Sequence, residues 1–189
     1  MRGLGLERPA ILGHSMGAAT TLLLAGAYPE LPRAVLLEHP PTCWAERHQG
    51  GPSAEDRLAG SHTWLSSIKR KTREELIAEQ RAATPDWSAV ELEPWAGAKH
   101  RVSPNILEVL SSGNPPSADW AAMMRRITCP ALLITADPAP NAIAPERSAS
   151  ALQALLPQLR VEHIEGAGHN THRDQFHRCI SVVRTFLAE

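Results

Sequence analysis

The chain has 189 residues, enough for one domain, and its 43% hydrophobic content supplies a core, which excludes a disordered chain. Its 19 basic and 20 acidic residues are spread evenly and leave a net charge of −1, which excludes recognition of nucleic acid or an anionic membrane by bulk charge. The three cysteines, Cys43, Cys129 and Cys179, are odd in number and lack CxxC spacing, so reduced thiols are expected rather than a disulfide framework or a zinc site.

The opening, MRGLGLERP, lacks the apolar centre and small-residue cleavage site of a signal peptide. No later run approaches the roughly 18 apolar residues of a membrane span, so a cytosolic chain without membrane contact is expected. GLGLER follows no strand and is not read as a dinucleotide loop. The first informative stretch is PAILGHSMGAATTLLLAGAYPE, from Pro9 to Glu30. Ala10-Ile11-Leu12 is a short apolar run, Gly13-His14-Ser15-Met16-Gly17 interrupts it, and Ala18 to Ala27 is alanine- and leucine-rich at helical length. That order predicts a buried strand, a sharp turn and a helix. Two glycines without Cβ atoms, Gly13 and Gly17, let strand and helix approach. Ser15 is then held at the apex in a strained conformation, with its hydroxyl over the helix N-terminus. The N–H of Met16 points to where an oxyanion would form.

Downstream, Ala34 to Glu38 in RAVLLEHPP predicts a second strand stopped by Pro40 and Pro41, and strand-helix-strand order implies a right-handed parallel unit. Residues 42–127 are more polar, with helical patterns in REELIAEQRAA and ADWAAMMRRI and breaks at HQGGPS and SSGNPPS. All five tryptophans, Trp44, Trp64, Trp87, Trp95 and Trp120, fall in this insertion. They serve either as the core of a small helical lobe or, for Trp44 and Trp120, as the lining of a substrate pocket together with His14. Then come a third strand, Ala131 to Thr135, a helix with Pro145 in its first turn, a fourth strand in RVEHI and a closing helix in RDQFHRCISVVRTFLA.

A serine nucleophile needs a base. Of nine histidines, His169 in EGAGHNTHRDQF follows the fourth strand directly, in a loop loosened by Gly166 and Gly168 at the same end of the sheet as Ser15. His172 starts the following helix and is expected to be exposed.

With GHSMG as a nucleophile elbow and GAGHN as a histidine loop, the chain resembles the α/β-hydrolase superfamily, and LLEHPP and LLITADPAPNAIAPE resemble a branch with helical caps. The resemblance implies an α/β fold with a parallel sheet of about four strands flanked by helices. The core would be residues 1–41 and 128–189, with residues 42–127 a cap inserted after the second strand. It also implies a serine hydrolase acting on a small ester, thioester, lactone or amide, without cofactor or metal. In the family pattern the triad acid falls at Ala139, which cannot serve. Asp137 in the same loop is the first choice, and Glu38 at the end of the preceding strand is the alternative. Their role would be to fix the His169 tautomer and stabilise the imidazolium. Roughly a third of a family domain precedes the elbow, including the strand whose loop gives the second oxyanion donor. The chain is therefore expected to be either a fragment of a longer protein or a truncated form, with the outer edge of its first strand open to homo-oligomer formation or to a second polypeptide. The competing expectation is a weak or inactive hydrolase remnant acting as a binding module.

Overall fold

The computed structural model describes residues 2–41, 54–111, 119–138 and 145–189. In chain order these form β1 (Ala10–His14), α1 (Met16–Ala27) and β2 (Ala34–Glu38). Helices α2 (Ala54–Arg70), α3 (Arg73–Ala83), α4 (Ala89–Arg101) and α5 (Ile106–Ser111) follow. The chain then continues through α6 (Trp120–Arg125), β3 (Ala131–Ala136), α7 (Pro145–Leu155), β4 (Leu159–Ile164), α8 (Thr171–Asp174) and α9 (Phe176–Ala188). The expected α/β architecture is present: a parallel sheet of four strands in the order β1-β2-β3-β4, flanking helices, and a helical insertion between β2 and β3.

Two compact units are formed, one from residues 1–47 and 118–189 and one from residues 48–117. The sheet unit takes in α6. The reason is packing: Met124 and Ile127 are buried in the same cluster as Leu22 of α1 and Leu152 of α7.

Strand alternation divides the sheet unit's core. Val35, Leu37, Ala131 and Leu133 join α1, α6 and α7 on one face. Ala34, Leu36, Leu132, Ile134 and Ala136 join Ile164 and α9, through Cys179, Val183 and Phe186, on the other. β2 and β3 are buried at every position, the pattern of parallel strands covered on both faces. Glu38 continues the even-numbered series, so its carboxylate is turned into the α9 face. Among the described residues β1 pairs with β2 only, and Leu12 on it is 49% exposed.

The turn from β1 into α1 depends on Gly13, where a Cβ would lie 2.4 Å from the Gly17 carbonyl oxygen and 2.6 Å from Thr21 Oγ1. At Gly17 a Cβ would meet nothing within 4 Å, so the close approach is made by Gly13 alone. The closing helix predicted from Arg173 onward is interrupted: Gln175, at φ −135° and ψ 58°, separates α8 from α9.

In the helical unit, Leu65 and Ile68 of α2, Leu76 of α3 and Ala96 of α4 form the core, with Trp95 packed against it. A capping box starts α3: Thr72 Oγ1 accepts from Glu75 N while Glu75 Oε2 accepts from Thr72 N. Trp87 is buried, whereas Trp64 is 38% exposed with Lys99 Nζ 5.1 Å from its ring centroid. Trp120 lies in the other unit, partly buried against the α1, α6 and α7 cluster. Tryptophan therefore fills the lobe core only in part. Trp44, Cys43 and Ala139 lie outside the described residues. Among those described, no helix is long and apolar enough to cross a membrane.

Candidate active site

Ser15 sits between β1 and α1 at φ 52° and ψ −120°. This is a strained backbone for a residue with a Cβ, of the kind that concentrates at functional sites. Its N–H donates to the Glu38 carbonyl at 2.9 Å, which ties the apex to the end of β2. Its side chain accepts no capping bond from α1, so the hydroxyl is not committed to the helix. The next N–H, that of Met16, opens α1 and has no intrahelical acceptor.

The loop after β4 docks on the same rim. His14 Nε2 donates to the His169 carbonyl at 2.8 Å, and the two rings lie with centroids 4.8 Å apart. A positive φ of 75° at Gly166 shapes that loop. The structure thus brings the neighbour of Ser15 onto His169, although no side-chain hydrogen bond joins Ser15 to His169 among the described residues.

The two candidate acids are both engaged elsewhere. Asp137 accepts from Gly166 N at 2.9 Å through Oδ2, and its Oδ1 lies 3.1 Å from His163 Nε2. His163 Nδ1 is in turn 3.1 Å from Thr135 Oγ1, giving a Thr135–His163–Asp137 chain across β3 and β4. Glu38 is 1% exposed. It accepts from the Thr171 hydroxyl and from His172 N at 3.0 Å, and His172 Nδ1 lies 2.7 and 2.9 Å from its two oxygens. Burial opposes its ionisation, but the hydrogen bonds from His172 and Thr171 prevail and hold the carboxyl down at about 2. His172, expected to be exposed, is therefore half-buried and partnered, because the Glu38 carboxylate needs a donor on that face.

What His169 Nδ1 does meet is His39 Nδ1, at 2.9 Å. His39 follows β2 at φ 43°, and its N–H donates to the Ile134 carbonyl at 3.0 Å, so the strand ends by turning this ring toward the histidine loop. One imidazole donates and the other accepts. Burial pushes both below the usual histidine range, and each is lowered further by neighbouring imidazoles. His39 belongs to no motif. Its only signal was position, one residue beyond Glu38 at the strand end.

A family model described as the alpha/beta hydrolase fold matches residues 1–175. Among solved structures, the N-formylmaleamic acid deformylase of Pseudomonas putida S16 is similar, with a TM-score of 0.70 and 21% identity over 96% of this chain and 68% of that one. An E-2-(acetamidomethylene)succinate hydrolase gives 0.68 and 17% identity, over 100% of this chain and 69% of that one. The thioesterase domain from the curacin biosynthetic pathway gives 0.63 and 20%, over 97% and 68%. At these identities the likeness is one of fold. No curated protein matches significantly. With four parallel strands, a strained serine between β1 and α1, and a matching model over nearly its whole length, the chain belongs to the α/β-hydrolase family.

Proposed function

We propose that the chain is a catalytically weak serine hydrolase, acting on a small ester, thioester, lactone or amide. Ser15 Oγ attacks the carbonyl carbon, His169 takes the proton at Nε2, and the Met16 N–H donates to the oxyanion. His169 then returns its proton to the leaving group, and water repeats the cycle to free the acyl group.

One contact supports the word weak: His169 Nδ1 faces His39 rather than a carboxylate. Proton transfer from Ser15 makes His169 an imidazolium. In a complete triad a buried carboxylate stabilises that charge and fixes the tautomer; loss of the carboxylate's charge costs about four orders of magnitude in turnover. A neutral imidazole can accept the Nδ1–H and orient the ring, but it offers no countercharge. Asp137 and Glu38, the expected acids, are held by His163 and His172. The same contact favours the second reading, an inert module that binds without turnover.

Labelling with a fluorophosphonate probe separates the two. The weak-hydrolase reading expects slow labelling that Ser15→Ala abolishes. Folded protein that never labels would leave the inert reading, and turnover at the rate of ordinary enzymes, about 1–1000 per second, would overturn both.

A further inference from the structure

Beside the proposed nucleophile, three side chains form a cluster that the hydrolytic reading does not use. His14, Glu38 and His172 each offer one nitrogen or oxygen, and these atoms all lie within 4.8 Å of one another. They come from the ends of β1 and β2 and from α8, within the sheet unit.

We propose that His14, Glu38 and His172 form a binding site for a divalent transition-metal ion of the zinc class. Two imidazoles and a carboxylate are a ligand set that zinc and its first-row neighbours accept, leaving a fourth position open. His172 Nδ1 already spans both Glu38 oxygens, at 2.7 and 2.9 Å, so one bridging proton occupies the place of an ion. A zinc ion with bonds of about 2.0–2.2 Å would take that place once the ring proton of His172 moves from Nδ1 to Nε2, which leaves a neutral imidazole with its lone pair on the metal. The carboxylate is ready for it: Glu38 is buried, and among the described residues its Oε2 accepts only from His172. On the other ligand, Nε2 of His14 donates to the His169 carbonyl at 2.8 Å. That bond fixes the tautomer and leaves Nδ1 as the lone-pair nitrogen, the arrangement found behind most metal-bound histidines. Thr171 and His172 N hold Glu38 Oε1 in the same way. Binding requires His14 and Glu38 to close from at most 4.8 Å, a side-chain adjustment of about an ångström for a tetrahedral ion.

The test uses the whole chain stripped with a chelator, titrated at neutral pH with Co(II), followed by its visible absorption, and with Zn(II), followed by calorimetry. One equivalent should bind, with an intense tetrahedral Co(II) spectrum. His14→Gln and His172→Gln should each weaken binding by at least about tenfold, whereas His163→Gln should not. Long-range nitrogen–proton NMR of the histidine rings in the unaltered chain reads the same event without mutation: Zn(II) should shift the ring nitrogens of His14 and His172. No saturable binding, equal affinity in both variants, or shifts confined to other histidines would overturn the proposal. None of these readouts uses hydrolysis, so the site stands or falls separately from the hydrolase reading.

Discussion

His39 and His169 meet through their Nδ1 atoms at 2.9 Å, in the place where a triad histidine normally meets its acid. Burial lowers both rings below the ordinary value of 6.5, so His169 is neutral and able to accept a proton at pH 7. The acid limb of kcat/KM should therefore lie below pH 6.5. A pH–rate profile with its half-point above that value would contradict the assignment.

Asp137 is predicted to matter for stability rather than turnover. Its carboxylate holds Gly166 N and faces His163, and Asp137→Ala strips both partners. Unfolding in urea should show a loss of about 1–3 kcal/mol, while the Ser15-dependent hydrolysis stays within a few-fold of the parent. A collapse in kcat without loss of stability would make Asp137 the triad acid after all.

Glu38 sets the acid stability. Its carboxyl is at about 2 in the folded chain against 4.5 for an unperturbed glutamate, so the unfolded state binds the proton more readily. The stabilisation is complete above about pH 5 and is lost as pH falls toward 2; it is on the order of 3 kcal/mol. His39 and His169, also lowered, act in the same direction at higher pH: stability declines as pH falls below 6.5. Thermal melts across this range should drop in two stages, and Glu38→Gln should flatten the lower one. A lower stage unchanged in that variant would contradict the assignment.

The free side of β1 should promote self-association. Among the described residues β1 pairs only with β2, and Leu12 is 49% exposed on it. An unpaired apolar edge templates further pairing. Light scattering should show mass rising with concentration, and Leu12→Lys should suppress the rise. A monomer at every concentration would contradict this.

Much of this architecture was legible because it rests on local patterns. The runs AVLLE and ALLITA are apolar at nearly every position, as strands buried on both faces must be, and GHSMG combines a steric demand at Gly13 with the strained Ser15. Helix α4 was less visible because Pro94 lies inside it, and packing of Leu92 and Ala96 outweighs the breaker. The contact between His39 and His169 spans 130 positions and depends on a left-handed backbone at one strand end. No periodicity encodes it. The face that Glu38 occupies, by contrast, follows from alternation with Ala34 and Leu36, but its pairing with His172 depends on where α8 docks.

Among the described residues His169 has no carboxylate partner because His39 stands there, and His39→Asp tests this most directly. Aspartate tolerates the positive φ of 43° at this position better than most residues. Steady-state hydrolysis of a small activated ester should rise by at least about tenfold in kcat/KM, against the roughly 10⁴-fold effect of that carboxylate in complete triads. The acid limb should move to higher pH, and adding Ser15→Ala should abolish the gain. A folded His39→Asp chain with unchanged or lower activity and an unmoved pH profile would contradict the account.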